Sequence, residues 1–246
     1  MFFRIIRAIF RWPLVIIFGI HFHGRENVPK DGGFLLCANH TSMADVIPIA
    51  LGIRPQPRFM AKKEALSVPV VGAFLRSLGA FSVDRGASDV GAVRKAIEII
   101  KANGVVSIFP QGHRYPKVAA RSTPLHSGAA LIAYRSGCDV VPVYIKSRSG
   151  QLKAFRRNDI YFGEPIENSA LGFEAGGSAE YKRASAIIFD RVCDMGVEAG
   201  APLEVAAAAA LGEDAVTHSD GDAFVEDART IEPADAAAEA PDGERE

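Results

Sequence analysis

From Gly33 onward the chain alternates short apolar runs with helix-length amphipathic stretches, a rhythm that few architectures other than α/β layers accommodate. FLLCA (34–38) is apolar throughout and reads as a first strand covered on both faces. TSMADVIPIAL follows as a helix that Thr41 or Ser42 can cap. PRFMA, around 58–61, is a second strand, VPVVGAFLRSLG a helix stopping at Gly79, and AFSV a third strand. In ASDVGAVRKAIEIIKANG (87–104), Val90, Val93, Ile97 and Ile100 recur at spacings of three, four and three, with Ser88 or Asp89 to start the helix and Gly104 to end it. VVSIF (105–109), SGAALIAYRSG (127–137), VVPVYI (140–145) and DIYFGEPI continue as strand, helix, strand and short strand, and AEYKRASAIIFDRVCDM closes as an amphipathic helix. No internal repeat is present. The expectation is an α/β fold: a single domain over residues 25–194 with a mostly parallel central sheet flanked by helices.

At 246 residues and 48% hydrophobic, the chain can fill one substantial core but not two large ones. Its net charge of −1 conceals two opposed parts. Residues 1–194 carry 26 of the 28 Lys and Arg but 15 of the 29 Asp and Glu, a balance of +11; the remainder carries two basic and 14 acidic residues, a balance of −12. Residues 195–246, dominated by Ala, Glu, Asp, Gly and Pro, bury too little apolar surface to offset chain entropy, so this acidic tail is expected to be mostly disordered. LEVAAAAALG within it has the composition of a short helix.

The basic body suits nucleic acid, an anionic membrane or anionic substrates, and the amino terminus separates these. In MFFRIIRAIFRWPLVIIFGIHF, Arg4, Arg7 and Arg11 gather at helical spacing against an apolar remainder, and no acid precedes Glu26. Residues 1–24 therefore read as an amphipathic membrane-surface segment, with a first core helix as the alternative. Pro13 and the arginines interrupt it too often for a spanning helix, and HFHGRENVP offers no small-residue cleavage site after the apolar run. No nucleic-acid recognition motif is found. Cys37, Cys138 and Cys193 are far apart, with no C-x-x-C or zinc spacing, and read as reduced thiols of a cytosolic protein.

Polar clusters follow three strands: NHTSMAD (39–45), DRG after AFSV, and PQGHR after VVSIF. Ligand sites of open α/β sheets collect at the carboxyl ends of strands, so these loops can converge. His40 stands five positions before Asp45, a spacing that is weak alone and equally compatible with a helix cap. The ordered succession NHTSMAD, AKKEALSVPVVGAFLRSLGAFSVDR, IFPQGHR and VVPVYI resembles the four blocks of the glycerolipid acyltransferases, particularly the bacterial 1-acylglycerol-3-phosphate acyltransferases, over roughly residues 25–166.

The resemblance implies His40 as the general base that takes the proton of a lipid hydroxyl, Asp45 as the carboxylate orienting it, and Arg85 and Arg114 as holders of the acceptor's phosphate. Those residue types suit those tasks: imidazole accepts protons near neutral pH, a carboxylate steadies the resulting imidazolium, and a guanidinium meets two phosphate oxygens at once. Gln111 and Gly112 are read as positioning the acceptor or its loop. Lys62 and Lys63, with Val141 and Pro142, mark a donor or acyl-chain region; for the two β-strand residues a plain core role is the competing reading. The family usually has glutamate where Gln111 stands and threonine where His113 stands, which puts acceptor preference in question. His113 and His126 could add positive charge near the acceptor. The implied reaction moves a fatty acyl group from acyl-CoA or acyl-carrier-protein to the sn-2 hydroxyl of 1-acylglycerol-3-phosphate, at the cytoplasmic face of the membrane, with no metal or other cofactor and no nucleic-acid partner. The alternatives are another lysophospholipid or amino-acid-lipid acceptor, or a non-catalytic membrane-binding module.

Overall fold

The computed structural model describes residues 11–54, 56–83 and 90–200. Residues 11–17 are helical (α1) and lead into β1 (Ile20–His23) and β2 (Phe34–Ala38). A 3₁₀ turn, Met43–Asp45, opens α2 (Val46–Gly52); β3 (Pro57–Lys62), α3 (Lys63–Ser67), α4 (Pro69–Ser77) and β4 (Ala80–Val83) follow. Then come α5 (Val90–Lys101), β5 (Val105–Ile108), α6 (Gly128–Ser136), β6 (Val140–Ser147), β7 (Asn158–Phe162) and α7 (Ser178–Glu198).

The seven strands form one sheet in the order β1-β7-β6-β2-β5-β3-β4. Strands β2 to β6 are mutually parallel, β7 is antiparallel to β6, and β1 runs with β7. The chain leaves β2 in one direction, past β5 to β3, and leaves β5 in the other, past β2 to β6. Parallel crossovers are right-handed, so opposite directions send the connecting helices to opposite faces. That is the arrangement found: Ile47, Ile49 and Leu51 of α2 share an apolar cluster with Phe34 and Leu36, while α5, α6 and α7 meet Leu35 and Cys37 on the other face. The alternation of FLLCA between the two clusters explains its unbroken hydrophobicity. The switch of direction falls between β2 and β5, the place where open α/β sheets bind ligands, at the carboxyl ends of the strands.

Three boundaries differ from the sequence reading, each for a local reason. Ile20–His23 is an edge strand paired with β7 rather than the end of a surface segment, and Leu14, Val15 and Phe18 of the preceding stretch pack against the core. The helix through VPVVGAFLRSLG is preceded by a separate short one, because Val68 stands before Pro69 and is held extended at φ −69°, ψ 119°. The closing helix runs to Glu198, past the composition break at 194, because its Met195 is buried against the domain. Residues 87–89, predicted to begin α5, lie outside the described residues, as do Arg4, Arg7 and residues 201–246 of the predicted tail. Cys37, Cys138 and Cys193 are all buried free thiols. No helix among the described residues is long and apolar enough to cross a membrane.

Candidate active site

Asn39 ends β2 by substituting its side chain for one more rung of the sheet. Its Nδ2 donates to the Ile145 carbonyl (3.1 Å) and its Oδ1 accepts from the Ile145 amide (2.7 Å), so the backbone is released to turn while the edge stays pinned to β6. The loop after β5 then grips His40 on both sides: the His40 amide donates to Gln111 Oε1 (2.6 Å), and the His40 carbonyl accepts from the Tyr115 amide (2.9 Å).

The turn that follows brings the carboxylate back to the ring. Ser42 Oγ accepts from the Ala44 amide (3.2 Å), while Asp45 Oδ2 accepts from the amides of Thr41 (2.6 Å) and Ser42 (2.8 Å), a reciprocal capping box. His40 Nδ1 lies 3.0 Å from the same oxygen. A carboxylate oxygen can only accept, so Nδ1 carries the hydrogen and Nε2 is left with the lone pair. Asp45 is wholly buried, and a buried charge demands such partners. One oxygen thus serves as the cap of the turn and as the partner of the His40 ring. Beneath the ring, Phe109 stacks at a centroid distance of 3.9 Å and 13° between planes, fixing its tilt. The His40 side chain remains 16% exposed, enough to meet a ligand.

Gln111 points into the protein. It is 1% exposed, and while its oxygen holds His40, its Nε2 donates to Thr123 Oγ1 (2.7 Å), which donates in turn to the Ala120 carbonyl (2.6 Å). Gly112 adopts φ +67°, and a Cβ there would lie 2.6 Å from the His126 ring, so the glycine permits passage beside that histidine. Arg114 is exposed two residues on and has no ion pair to another described residue; His113 and His126 are exposed as well. Lys62 ends β3 and Lys63 opens α3, both at the carboxyl edge of the sheet. Val141 and Pro142 are buried opposite Leu36 and Cys37, inside the sheet, which is the core-strand reading and leaves neither open to a ligand. Arg85 lies outside the described residues; β4, which precedes it, ends on the same edge as β2 and β5. An open hollow of about 400 Å³ between α1 and β1, lined by Arg11, Trp12, Phe22 and Arg25 among others, includes none of these residues. The sequence assigns no role to the braces Asn39, Phe109, Tyr115 and Thr123; Asn39 and Phe109 lie within NHTSMAD and FPQGHR, Tyr115 and Thr123 beyond them.

A histidine–carboxylate pair at the switch point of an open α/β sheet is an arrangement with the chemistry to activate a hydroxyl. The chain belongs to the acyltransferase family, whose profile, described as Acyltransferase, matches residues 19–146. Among its relatives is the 1-acyl-sn-glycerol-3-phosphate acyltransferase of Bacillus subtilis, 32% identical over 154 residues that make up 61% of this chain and 75% of that protein. The protein of the same description from Streptococcus pneumoniae is 31% identical over 157 residues, 61% of this chain and 57% of its own length. The crystal structure of the 1-acyl-sn-glycerophosphate acyltransferase PlsC from Thermotoga maritima superposes with a TM-score of 0.58 at 25% identity, covering 80% of this chain and 83% of that one.

Proposed function

We propose that this enzyme transfers a fatty acyl group from an acyl-CoA or acyl-carrier-protein thioester to the sn-2 hydroxyl of 1-acylglycerol-3-phosphate. The observation that carries the reading is the His40–Asp45 pair, held at 3.0 Å, with no hydrogen bond to Nε2 from another described residue. Nε2 accepts the hydroxyl proton as the oxygen attacks the thioester carbonyl carbon. Asp45 steadies the imidazolium formed on the way. As the tetrahedral centre collapses the carbon–sulfur bond breaks, and the proton passes from His40 to the departing sulfur, giving phosphatidic acid and a free thiol. Arg114, exposed on the loop that grips His40, is the described residue suited to the acceptor's phosphate, and Arg85 is assigned to share it. Lys62 and Lys63, on the same edge, are assigned to the donor's phosphates. The relatives' descriptions support an anionic lipid acceptor, and the +11 balance of residues 1–194 supports taking it from a membrane surface.

A different acceptor is the alternative raised by Gln111, where the resemblance implies glutamate. That side chain is buried with both ends of its amide occupied, which supports a role in holding the His40 loop and gives no support to the alternative acceptor. The deciding experiment is a donor-by-acceptor matrix with purified protein and mass-spectrometric identification of the products. His40→Ala should abolish thioester-dependent acylation while vesicle binding persists; undiminished turnover would remove the base. A preference for acceptors lacking phosphate would remove the arginine pair.

A further inference from the structure

Phe155, in the loop joining β6 to β7, is 84% exposed and sits at φ +57°, a left-handed conformation that aromatic residues rarely adopt and that persists only where the surroundings impose it. Here they do. The Phe155 amide donates to the carbonyl of Ile17 at the end of α1 (2.6 Å). Asn158, wholly buried, reaches three carbonyl oxygens with Nδ2: Phe18 (2.6 Å), Arg156 (2.9 Å) and Lys153 (3.1 Å). Its own amide donates to Gly19 (2.9 Å), whose φ of +49° lets the Arg156 carbonyl come within 2.5 Å of where a Cβ would stand. The loop and the end of α1 are one fastened unit that pushes an aromatic ring into solvent.

The surroundings of that ring are apolar and basic. On α1, Trp12 is 66% and Ile16 74% exposed, while Leu14, Val15 and Phe18 face the core. From Val140 to Asn158 the chain has five Lys and Arg and no Asp or Glu. Arg157 is committed to Asp159 at 2.9 Å, but Lys153 and Arg156 are exposed without an ion pair to a described residue. The register places this unit. Because β7 runs against β6, its first residue, Asn158, lies opposite Ser147, four residues farther along β6 than Val143, which lies opposite Ala38. Loop 153–157 thus stands at the carboxyl edge that carries His40, two strands aside, roughly 10 Å across, and roughly 13 Å beyond the end of β2.

We propose that residues 153–157 form a membrane-inserting tip. Phe155 enters the interface of an anionic bilayer beside Trp12 and Ile16, and Lys153 and Arg156 meet the lipid phosphates. Attachment at α1 and at this tip, fixed to each other, turns the edge bearing His40 toward the lipid surface. The inference rests on the membrane-surface reading given above, and the apolar side of α1 favours a bilayer over a polyanion such as nucleic acid.

Trp12 is the single tryptophan of the chain, so Trp12→Phe combined with Phe155→Trp makes residue 155 the reporter; an exposed ring replaced by another ring leaves packing unchanged. With vesicles containing phosphatidylglycerol, the emission of this variant shifts to the blue and is quenched about twofold by lipids brominated on their acyl chains. Cosedimentation with these vesicles while emission at 155 stays water-like overturns the tip and leaves the membrane reading standing. Failure to cosediment at all overturns both. The pair Lys153→Gln and Arg156→Gln lowers affinity for the same vesicles about tenfold or more; equal affinity overturns the phosphate contacts.

Discussion

Replacing Asp45 by asparagine isolates the chemistry of the pair, because the amide oxygen can still accept from the Thr41 and Ser42 amides that the carboxylate now holds at 2.6 and 2.8 Å. What is lost is charge. When His40 takes a proton, the imidazolium lies 3.0 Å, Nδ1 to Oδ2, from that oxygen. Two unit charges about 4 Å apart attract by about 4 kcal/mol at an effective dielectric constant near 20. The two amides already draw on the same oxygen, and the ring is 16% open to water, so a net loss of about 3 kcal/mol is the reasonable share, about a hundredfold in rate. Should the amide present its NH₂ to the ring, Nδ1 would lose its acceptor and the loss would be larger. The assay is steady-state release of the thiol from a saturating donor, with thermal unfolding followed in parallel. The expected result is kcat down by about two orders of magnitude with the unfolding temperature nearly unchanged. A kcat within threefold of the parent at unchanged stability, roughly 0.6 kcal/mol, would refute the claim that Asp45 steadies a charge on His40. Asp45→Ala should by contrast lose stability too, since it leaves backbone donors unpaired in the interior.

Three other outcomes follow from particular contacts. Asp159 is pulled down to about 2, chiefly by its hydrogen bond from Arg157, with a smaller contribution from His23. Its folded-state value is depressed, so the stability it adds is present above the ordinary carboxylate range and lost as pH falls through about 2; with Arg157 half open to water, Asp159→Asn should lower the unfolding free energy at neutral pH by about 1 kcal/mol and match the parent below about pH 2. Gly112→Ala forces an ordinary residue into φ +67° against the His126 ring, and should lower the unfolding temperature by about 3–6 °C, with a fall in kcat because the same loop grips His40. Burial raises the thiols of Cys37 and Cys138, and that of Cys193 to about 11, so the native protein should resist Ellman's reagent near pH 8 and all three thiols should react once it is unfolded.

The central strands were legible because FLLCA, VVSIF and VVPVYI are short and almost wholly apolar, and the helices because their apolar residues recur at helical spacing, with Pro69 opening one and Gly137 closing another. Ile20–His23 was not legible as a strand: IHFH continues an apolar run, and only pairing with β7, far along the chain, makes it one. The pair His40–Asp45 could be named from local spacing. Its supports could not, since Gln111 reaches His40 from 71 residues away and Asn39 reaches Ile145 from 106. Nor does residue type disclose direction: Gln111 invited a role at the acceptor and points into the protein, and the valine and proline of VVPVYI are interior. Phe155 carried no signal, because its exposure depends on a backbone conformation that Asn158 imposes.

Ser42 and Asp45 have a consequence for anyone who would engineer this enzyme. Since Oδ2 is at once the anchor of a turn and the holder of a ring, the dyad is not a detachable module: a transplant into a foreign scaffold must bring the whole turn from Asn39 to Asp45 together with the strand that delivers it. Libraries that randomise position 45 will be sorted first for folding, and variants with altered chemistry will be sought more fruitfully among the ring's neighbours than in its tether.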